Sequence, residues 1–563
     1  MRSLLLSLST VAALCVSASP VAINGALQAR QNSASPLVSI KNGTLSGRYE
    51  PSLSQDLFLN VPYAQAPTGD LRLADPQSYD GTFNNGTRDA TQWGKICPGS
   101  GISSTPNVTL GQNYSLDEDC LNINIIRPSG VKKGDNLPVL FWIYGGGFVQ
   151  GTANDPRYNG SYLVQRSVGN GEPIVFASIN YRLSAFGFPA NPNNPLNLGL
   201  KDQRLALRWL QENIAEFGAD PKKVTIWGQS AGGSSVAAQM TAYGGRDEGL
   251  FRSACIDSGI FAGSNASLAS QAPAWSRFLN ATGCDTDEQL SCLRALPYET
   301  FYNATISSNY NPSPVPDGDF MRENTLVSFA NQRVVAVPFL IGATKDEATS
   351  GIGAPVGLNN DTAVRSAVTT RFATISASNE TIDTLLELYP DDNELGCPFD
   401  TGDGVVSTGL QDKRTNAIWT DQLHAGARKA AQARSSSVKV FSWRFNQVPQ
   451  NNTSNDRSTV DAAAAHANEL PYIFGVQNRT IRTPLGNRPG DLALSATMQN
   501  YWLNFVNHLD PNGKNSSKNA TKWESYDEDG KNMVFLNKGS RMVEDDCREE
   551  GIEFLIKMGL GEV

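Results

Sequence analysis

The stretch Lys223-Val-Thr-Ile-Trp-Gly228-Gln-Ser230-Ala-Gly232-Gly-Ser-Ser-Val-Ala-Ala-Gln239 changes character twice. A β-branched run, Val224 to Ile226, stops at Gly228; a serine follows, and Ala231 to Gln239 reads as a helix of small residues. The predicted order is strand, sharp turn, helix. Gly228 and Gly232 flank Ser230 where a strained strand-to-helix turn would bring side chains into collision. Ser230 is thereby lifted clear of the sheet. The helix behind it aims backbone N–H groups and the positive end of its dipole at any oxyanion forming there. A G-x-S-x-G spacing arises by chance in long glycine-rich chains, so the context decides. Here a strand precedes it, a helix follows, and a second glycine cluster, Gly145-Gly146-Gly147, closes the apolar run Leu137 to Tyr144.

Working outward, Val38 to Leu59 alternates apolar and polar residues around Gly43 and Gly47, which predicts antiparallel N-terminal strands. Leu121 to Ile126, Leu137 to Tyr144 and Ile174 to Tyr181 read as further strands. Leu198 to Phe217 carries apolar residues at helical spacing and ends at Gly218. Beyond the serine, strands are predicted at Phe251 to Ile260, Val334 to Ile341 and Val438 to Arg444. Helices are predicted at Leu268 to Phe278, around Ile382, and at Thr415 to Ala431 and Leu492 to Val506. Strands alternating with helices imply an α/β fold with a large, mostly parallel sheet covered on both faces. With no repeat and no low-complexity linker inside it, residues 35–563 read as one domain.

A serine hydroxyl needs a base within hydrogen-bond reach, and the base needs an acid to fix its tautomer. The chain has three histidines. His424 lies in an amphipathic pattern and His508 near a helix end, both better explained structurally. His466 sits among small residues in Asp461-Ala-Ala-Ala-Ala-His-Ala-Asn-Glu469, as a loop histidine brought to a sheet edge would. Asp346 and Glu347 both follow a buried strand, at the end where a parallel sheet gathers functional groups; periodicity leaves the two carboxylates open as the acid. The unobstructed amides of Gly145 to Gly147 would work with that of Ala231 on a developing oxyanion.

Met1 to Ala18 has one positive charge at Arg2, an apolar core from Leu4 to Val16 and small residues at Ser17-Ala18-Ser19. It reads as a secretory signal peptide, with 19–34 a flexible tail or short propeptide. No later stretch is long and apolar enough to span a bilayer. About fifteen N-x-S/T sequons, Asn42, Asn85, Asn107 and Asn113 among them, suit a secreted chain carrying N-glycans. The net charge of −9, with no basic run, excludes nucleic acid and anionic membrane surfaces and leaves small molecules as partners. Without Cys15 the cysteines are odd in number. Cys284 and Cys292 bracket a short loop that a disulfide would close, and Cys97 and Cys120 a longer polar one. Cys397 and Cys547 pair by elimination, leaving Cys255 a buried free thiol. No spacing resembles a metal site, and no cofactor is expected.

The chain resembles the type-B carboxylesterase and lipase family, α/β-hydrolases that include cholinesterases and fungal lipases, over nearly the whole mature length. Four blocks carry the resemblance. They are the serine stretch from Phe217 to Gly232; Glu118-Asp-Cys-Leu-Asn-Ile-Asn-Ile125; Asn180-Tyr-Arg-Leu-Ser-Ala-Phe-Gly-Phe188; and Asn60-Val-Pro-Tyr-Ala-Gln-Ala-Pro67. The resemblance implies Ser230 as nucleophile, Glu347 as acid, His466 as base, and Gly146, Gly147 and Ala231 as oxyanion-hole amides. It implies ester hydrolysis through an acyl-enzyme. Ala348 stands where the family often has glycine, and Tyr144 where many esterases have histidine; neither carries a catalytic atom. In family lipases the first disulfide closes a long amphipathic lid. Here Cys97 to Cys120 is polar, with sequons at Asn107 and Asn113, so soluble or small-to-medium esters are expected over emulsified fat. A lipase acting on triacylglycerols or sterol esters is the alternative. A catalytically silent adhesion protein is the rival of another class, and the presence of Ser230, Glu347 and His466 together argues against it.

Overall fold

A computed structural model describes residues 35–563 except 102–114, 264–265, 351, 353, 403–408, 410, 434–436, 450–462, 477–484, 486, 514–519 and 528–529. The expected leader and tail lie outside these residues, as does most of the Cys97–Cys120 loop. Thirteen strands join one sheet. They are β1 (Leu37–Ile40), β2 (Gly43–Glu50), β3 (Gln55–Pro62), β4 (Thr87–Ala90), β5 (Asn122–Pro128), β6 (Leu137–Ile143) and β7 (Val175–Ile179). The series continues with β8 (Ala219–Gln229), β9 (Ser253–Asp257), β10 (Phe339–Thr344), β11 (Val440–Phe445), β12 (Lys531–Phe535) and β13 (Arg541–Glu544). The order is β1-β2-β3-β5-β7-β6-β8-β9-β10-β11-β12-β13, with β4 beside β2.

From β7 to β12 every neighbour is parallel. Antiparallel strands flank that block: β1, β2, β3 and β5 on one side and β13 on the other. The parallel strands are buried along most of their length, as continuous apolar runs require when helices cover a sheet. Helix Ala231–Gly245 packs on β8 and β9, Asp412–Gln432 on β10 and β11, and Pro489–His508 on β6 and β8. The sheet is open and mostly parallel: an α/β-hydrolase architecture.

The strand expected at Val334 to Ile341 is shifted. β10 begins only at Phe339, because Pro338 has no N–H to give a sheet ladder, and runs on to Thr344. The final hairpin β12–β13, the closing helix Glu549–Leu560 and the short helices Gln289–Ala295 and Tyr298–Ser307 add to the elements expected.

Disulfides join Cys97 to Cys120 and Cys284 to Cys292, and Cys255 is a buried free thiol, all as expected. The pairing of Cys397 with Cys547 is corrected: both are free thiols. Cys397 Sγ lies 3.4 Å from Thr420 Oγ1, while Cys547 Sγ accepts from Arg548 Nη1 at 2.9 Å. Elimination counts cysteines, whereas a disulfide needs two facing Cβ vectors. One expected glycan position also turns inward: Asn42 is buried, and its Nδ2, the atom a glycan would take, donates to the carbonyls of Tyr79 and Gly81.

Candidate active site

The site gathers at the carboxyl ends of β6, β8, β9 and β10. Ser230 caps helix Ala231–Gly245 with φ 59° and ψ −127°, a conformation L residues seldom hold. It is held there by its own N–H, which donates to Asp257 O at 2.9 Å, and by its carbonyl, which accepts from Ser234 N at 2.8 Å. The two flanking glycines explain how the turn closes. A Cβ on Gly228 would stand 2.3 Å from Gly232 O, and one on Gly232 2.1 Å from Ile143 O. Strand, turn and helix pass within a side chain's width of one another.

The glycine loop lies against this turn. A Cβ on Gly145 would stand 2.4 Å from Gln229 O and 2.8 Å from Ser230 Cβ. Gly146 (φ 114°) and Gly147 (φ 65°) then turn the chain back, with Val149 N and Gln150 N both donating to Gly146 O. Below them Tyr144 stacks on Tyr181, ring centroids 4.5 Å apart, each hydroxyl donating to the other's carbonyl. Among the described residues, the amides of Gly146, Gly147 and Ala231 donate to no protein acceptor. Three free donors next to a serine suit a bound or developing anion.

Of the two adjacent carboxylates, the structure brings Glu347 to His466. Glu347 Oε2 accepts from His466 Nδ1 in a very short contact. Its Oε1 accepts from Ser258 Oγ at 2.6 Å and Thr344 N at 2.7 Å. Asp346 has a different task. Its buried carboxylate accepts from Ala464 N and Phe399 N, both at 2.9 Å, and so tethers the segment that carries His466. Burial pushes its carboxyl above the usual range. Because Nδ1 faces a carboxylate it carries the proton, and Nε2 is left as an acceptor. That acceptor meets Gln229 Nε2 at 3.1 Å.

Two more carboxyls sit behind Glu347. Burial pushes Asp257 up to about 8, with the Glu347 charge adding to the rise and a hydrogen bond from Trp227 Nε1 opposing it. Burial raises Glu469 well above its ordinary value too, with Asp257 and Glu347 contributing. Sequence reasoning missed Ser258, Gln229, Asp257 and Glu469. For Ser258 and Asp257 the signal was available, since they end and follow β9 just as Glu347 follows β10. The other two histidines make other contacts: half-buried His424 meets Thr344 O through Nε2, and exposed His508 pairs with Glu172. Burial, with Arg548, Arg444 and Arg428 nearby, holds His424 well below its ordinary value and therefore neutral.

An aromatic cluster fixes the two halves of the site to each other. Trp227 on the serine strand stacks on Phe474, centroids 4.6 Å apart, and Trp142 on β6 meets both. Phe474 ends the short helix Leu470–Phe474 that follows the His466 turn. The His466 turn is thus packed against the strand that presents Ser230.

A family model described as "Carboxylesterase family" matches residues 34–555. Lipase 1 of Geotrichum candidum is 33% identical over 91% of this chain and 93% of its own length. A secreted triacylglycerol lipase of Gibberella zeae is 32% identical over 93% of this chain and 90% of its own. Among solved structures, Aspergillus niger EstA superposes with a TM-score of 0.78 at 26% identity, covering 94% of this chain and 99% of the other. A PNB esterase gives 0.73 at 26% identity, over 93% and 100%. The chain belongs to the carboxylesterase family and is a carboxylic ester hydrolase.

Proposed function

We propose that the protein is a secreted serine esterase that cleaves soluble, small-to-medium carboxylic esters through an acyl-enzyme. The observation that carries the reading is the contact of His466 Nδ1 with Glu347, beside a serine held in a strained turn. His466 Nε2 takes the Ser230 proton as Oγ bonds to the ester carbonyl carbon. The amides of Gly146, Gly147 and Ala231 receive the oxyanion. The C–O bond to the alcohol then breaks, and the alcohol leaves with the proton from His466. Water repeats the sequence on the acyl-enzyme, and the acid is released. Three backbone donors matter because each is worth about 10²–10³ in rate when aimed at the oxyanion.

Secretion is supported by the apolar leader and by relatives described as secreted lipases. Among the described residues no helix is long and apolar enough to cross a membrane. The preference for soluble esters rests on the polar Cys97–Cys120 loop. A second reading, triacylglycerol hydrolysis at an oil surface, is favoured by the relatives' descriptions as lipases.

The test is hydrolysis of p-nitrophenyl esters from acetate to palmitate, wild type beside Ser230→Ala. The expected result is a maximum at short chains and a loss of roughly 10⁴-fold or more in kcat in the variant. A maximum at palmitate, with activation by emulsion, would turn the reading to lipase. Undiminished activity in Ser230→Ala would remove the serine mechanism.

A further inference from the structure

Gln229 is buried at the end of β8, and its carboxamide meets the catalytic histidine at the nitrogen that the chemistry needs. Nε2 of a neutral imidazole has one lone pair, lying in the ring plane. Two neighbouring residues can donate to it: Ser230 through its hydroxyl and Gln229 through its amide. In the structure the amide holds it, at 3.1 Å, and among the described residues no hydrogen bond joins Ser230 Oγ to the ring.

We propose, building on the serine-esterase reading above, that Gln229 is a positioning residue for His466. Its amide N–H holds Nε2 while the site is empty and yields that lone pair to Ser230 when an ester binds. Two consequences follow from the geometry. The imidazole is held at both ends, by Glu347 on Nδ1 and Gln229 on Nε2, so its plane is set before substrate arrives. The amide donor also matches the tautomer that the Glu347 contact sets, with Nε2 bare. The other ionisable groups here are Glu347 on Nδ1, Asp257 and Glu469 behind it, and Asp346 beside it. None of the last three forms a hydrogen bond to the ring among the described residues, so the side chain at position 229 governs the Nε2 end.

A carboxylate at 229 would invert the contact, accepting from Nε2–H and favouring the imidazolium. A methionine would remove the donor and add no charge. The experiment is therefore the pH profile of kcat/KM on p-nitrophenyl butyrate for wild type, Gln229→Glu and Gln229→Met, with Ser230→Ala as control. Gln229→Glu is expected to move the acid limb to higher pH by about one unit. Gln229→Met is expected to lower plateau kcat about fivefold with KM nearly unchanged, the loss of one neutral hydrogen bond. An acid limb in Gln229→Glu that overlays wild type, or full kcat in Gln229→Met, would overturn the proposal.

Where a variant does not fold, long-range ¹H–¹⁵N spectra of the wild type decide, and three histidines make them assignable. The expected pattern for His466 at neutral pH is a protonated Nδ1 and a bare, hydrogen-bonded Nε2. A proton on Nε2 would sink the idea. Activity surviving in Ser230→Ala would instead sink the reading on which the proposal rests, so the two failures are distinct.

Discussion

Gly146 and Gly147 are neighbours with positive φ, and their surroundings differ sharply. A Cβ on Gly146 would stand 2.3 Å from Gln150 O, so the loop backbone would have to move and carry the amide with it. A Cβ on Gly147 would meet only Val149 Cγ2, at 3.7 Å. Gly146→Ala is expected to lower kcat by about 10²–10³, the worth of a misplaced oxyanion donor. Gly147→Ala should cost about 1–2 kcal/mol of backbone strain and leave kcat within roughly tenfold. Steady-state kinetics of the two variants measure this directly, and equal losses would refute the distinction. The serine was legible in the sequence at this scale because the glycine spacing is a steric requirement that any tight elbow imposes. Which carboxylate meets His466 was not legible from the residues alone. Asp346 and Glu347 are adjacent carboxylic acids, both fully buried, and only contacts made far along the chain separate them: Ala464 for the first, at a separation of 118 residues, and His466 for the second, at 119. The resemblance implies Glu347, and in the structure it is Glu347 that meets His466.

At the scale of elements, the strand–turn–helix unit is held by close backbone approach rather than by side-chain packing. Gly232 abuts the end of β6, Gly228 abuts Gly232, and a Cβ on Gly233 would stand 2.5 Å from Asp257 O. Gly232→Ala is therefore expected to lower thermal stability and activity together, by about 3 kcal/mol or more as for other overpacked cores. Thermal denaturation followed beside esterase activity checks it; a variant with wild-type Tm and lost activity would show the glycine to act on chemistry alone. Long periodic elements, such as Asp412–Gln432 and Pro489–His508, were readable because a helix's apolar stripe is written in its own residues. The start of β10 was misplaced because Val334 to Val337 look like strand, while Pro338 denies the ladder a donor. The Cys397–Cys547 pairing failed for a related reason: Cys397 faces Thr420, and Cys547 faces its chain neighbour Arg548, and a count of cysteines shows neither contact.

Across the whole molecule, the cost of the site is a cluster of carboxyls in the interior. Asp257 binds its proton up to about pH 8 in the folded chain, whereas an unfolded aspartate releases it near ~4. Folding therefore takes up a proton in that window, and stability contributed through Asp257 falls as pH rises from about 4 through 8, then levels. Asp257→Asn keeps an acceptor for Trp227 Nε1 and removes the linkage. Its Tm relative to wild type is expected to improve by a few degrees between pH 5 and pH 9. A difference that stays constant across that range would show Asp257 to be ionised throughout. The dipeptide Asp346-Glu347 grips the segment from Ala464 to His466 at two points, one through a backbone amide and one through the imidazole. A single grip fixes a position but leaves a pivot; two grips also fix the angle. Loss of either carboxylate would then leave the ring a hinge to turn on, while the other grip still holds the segment in place.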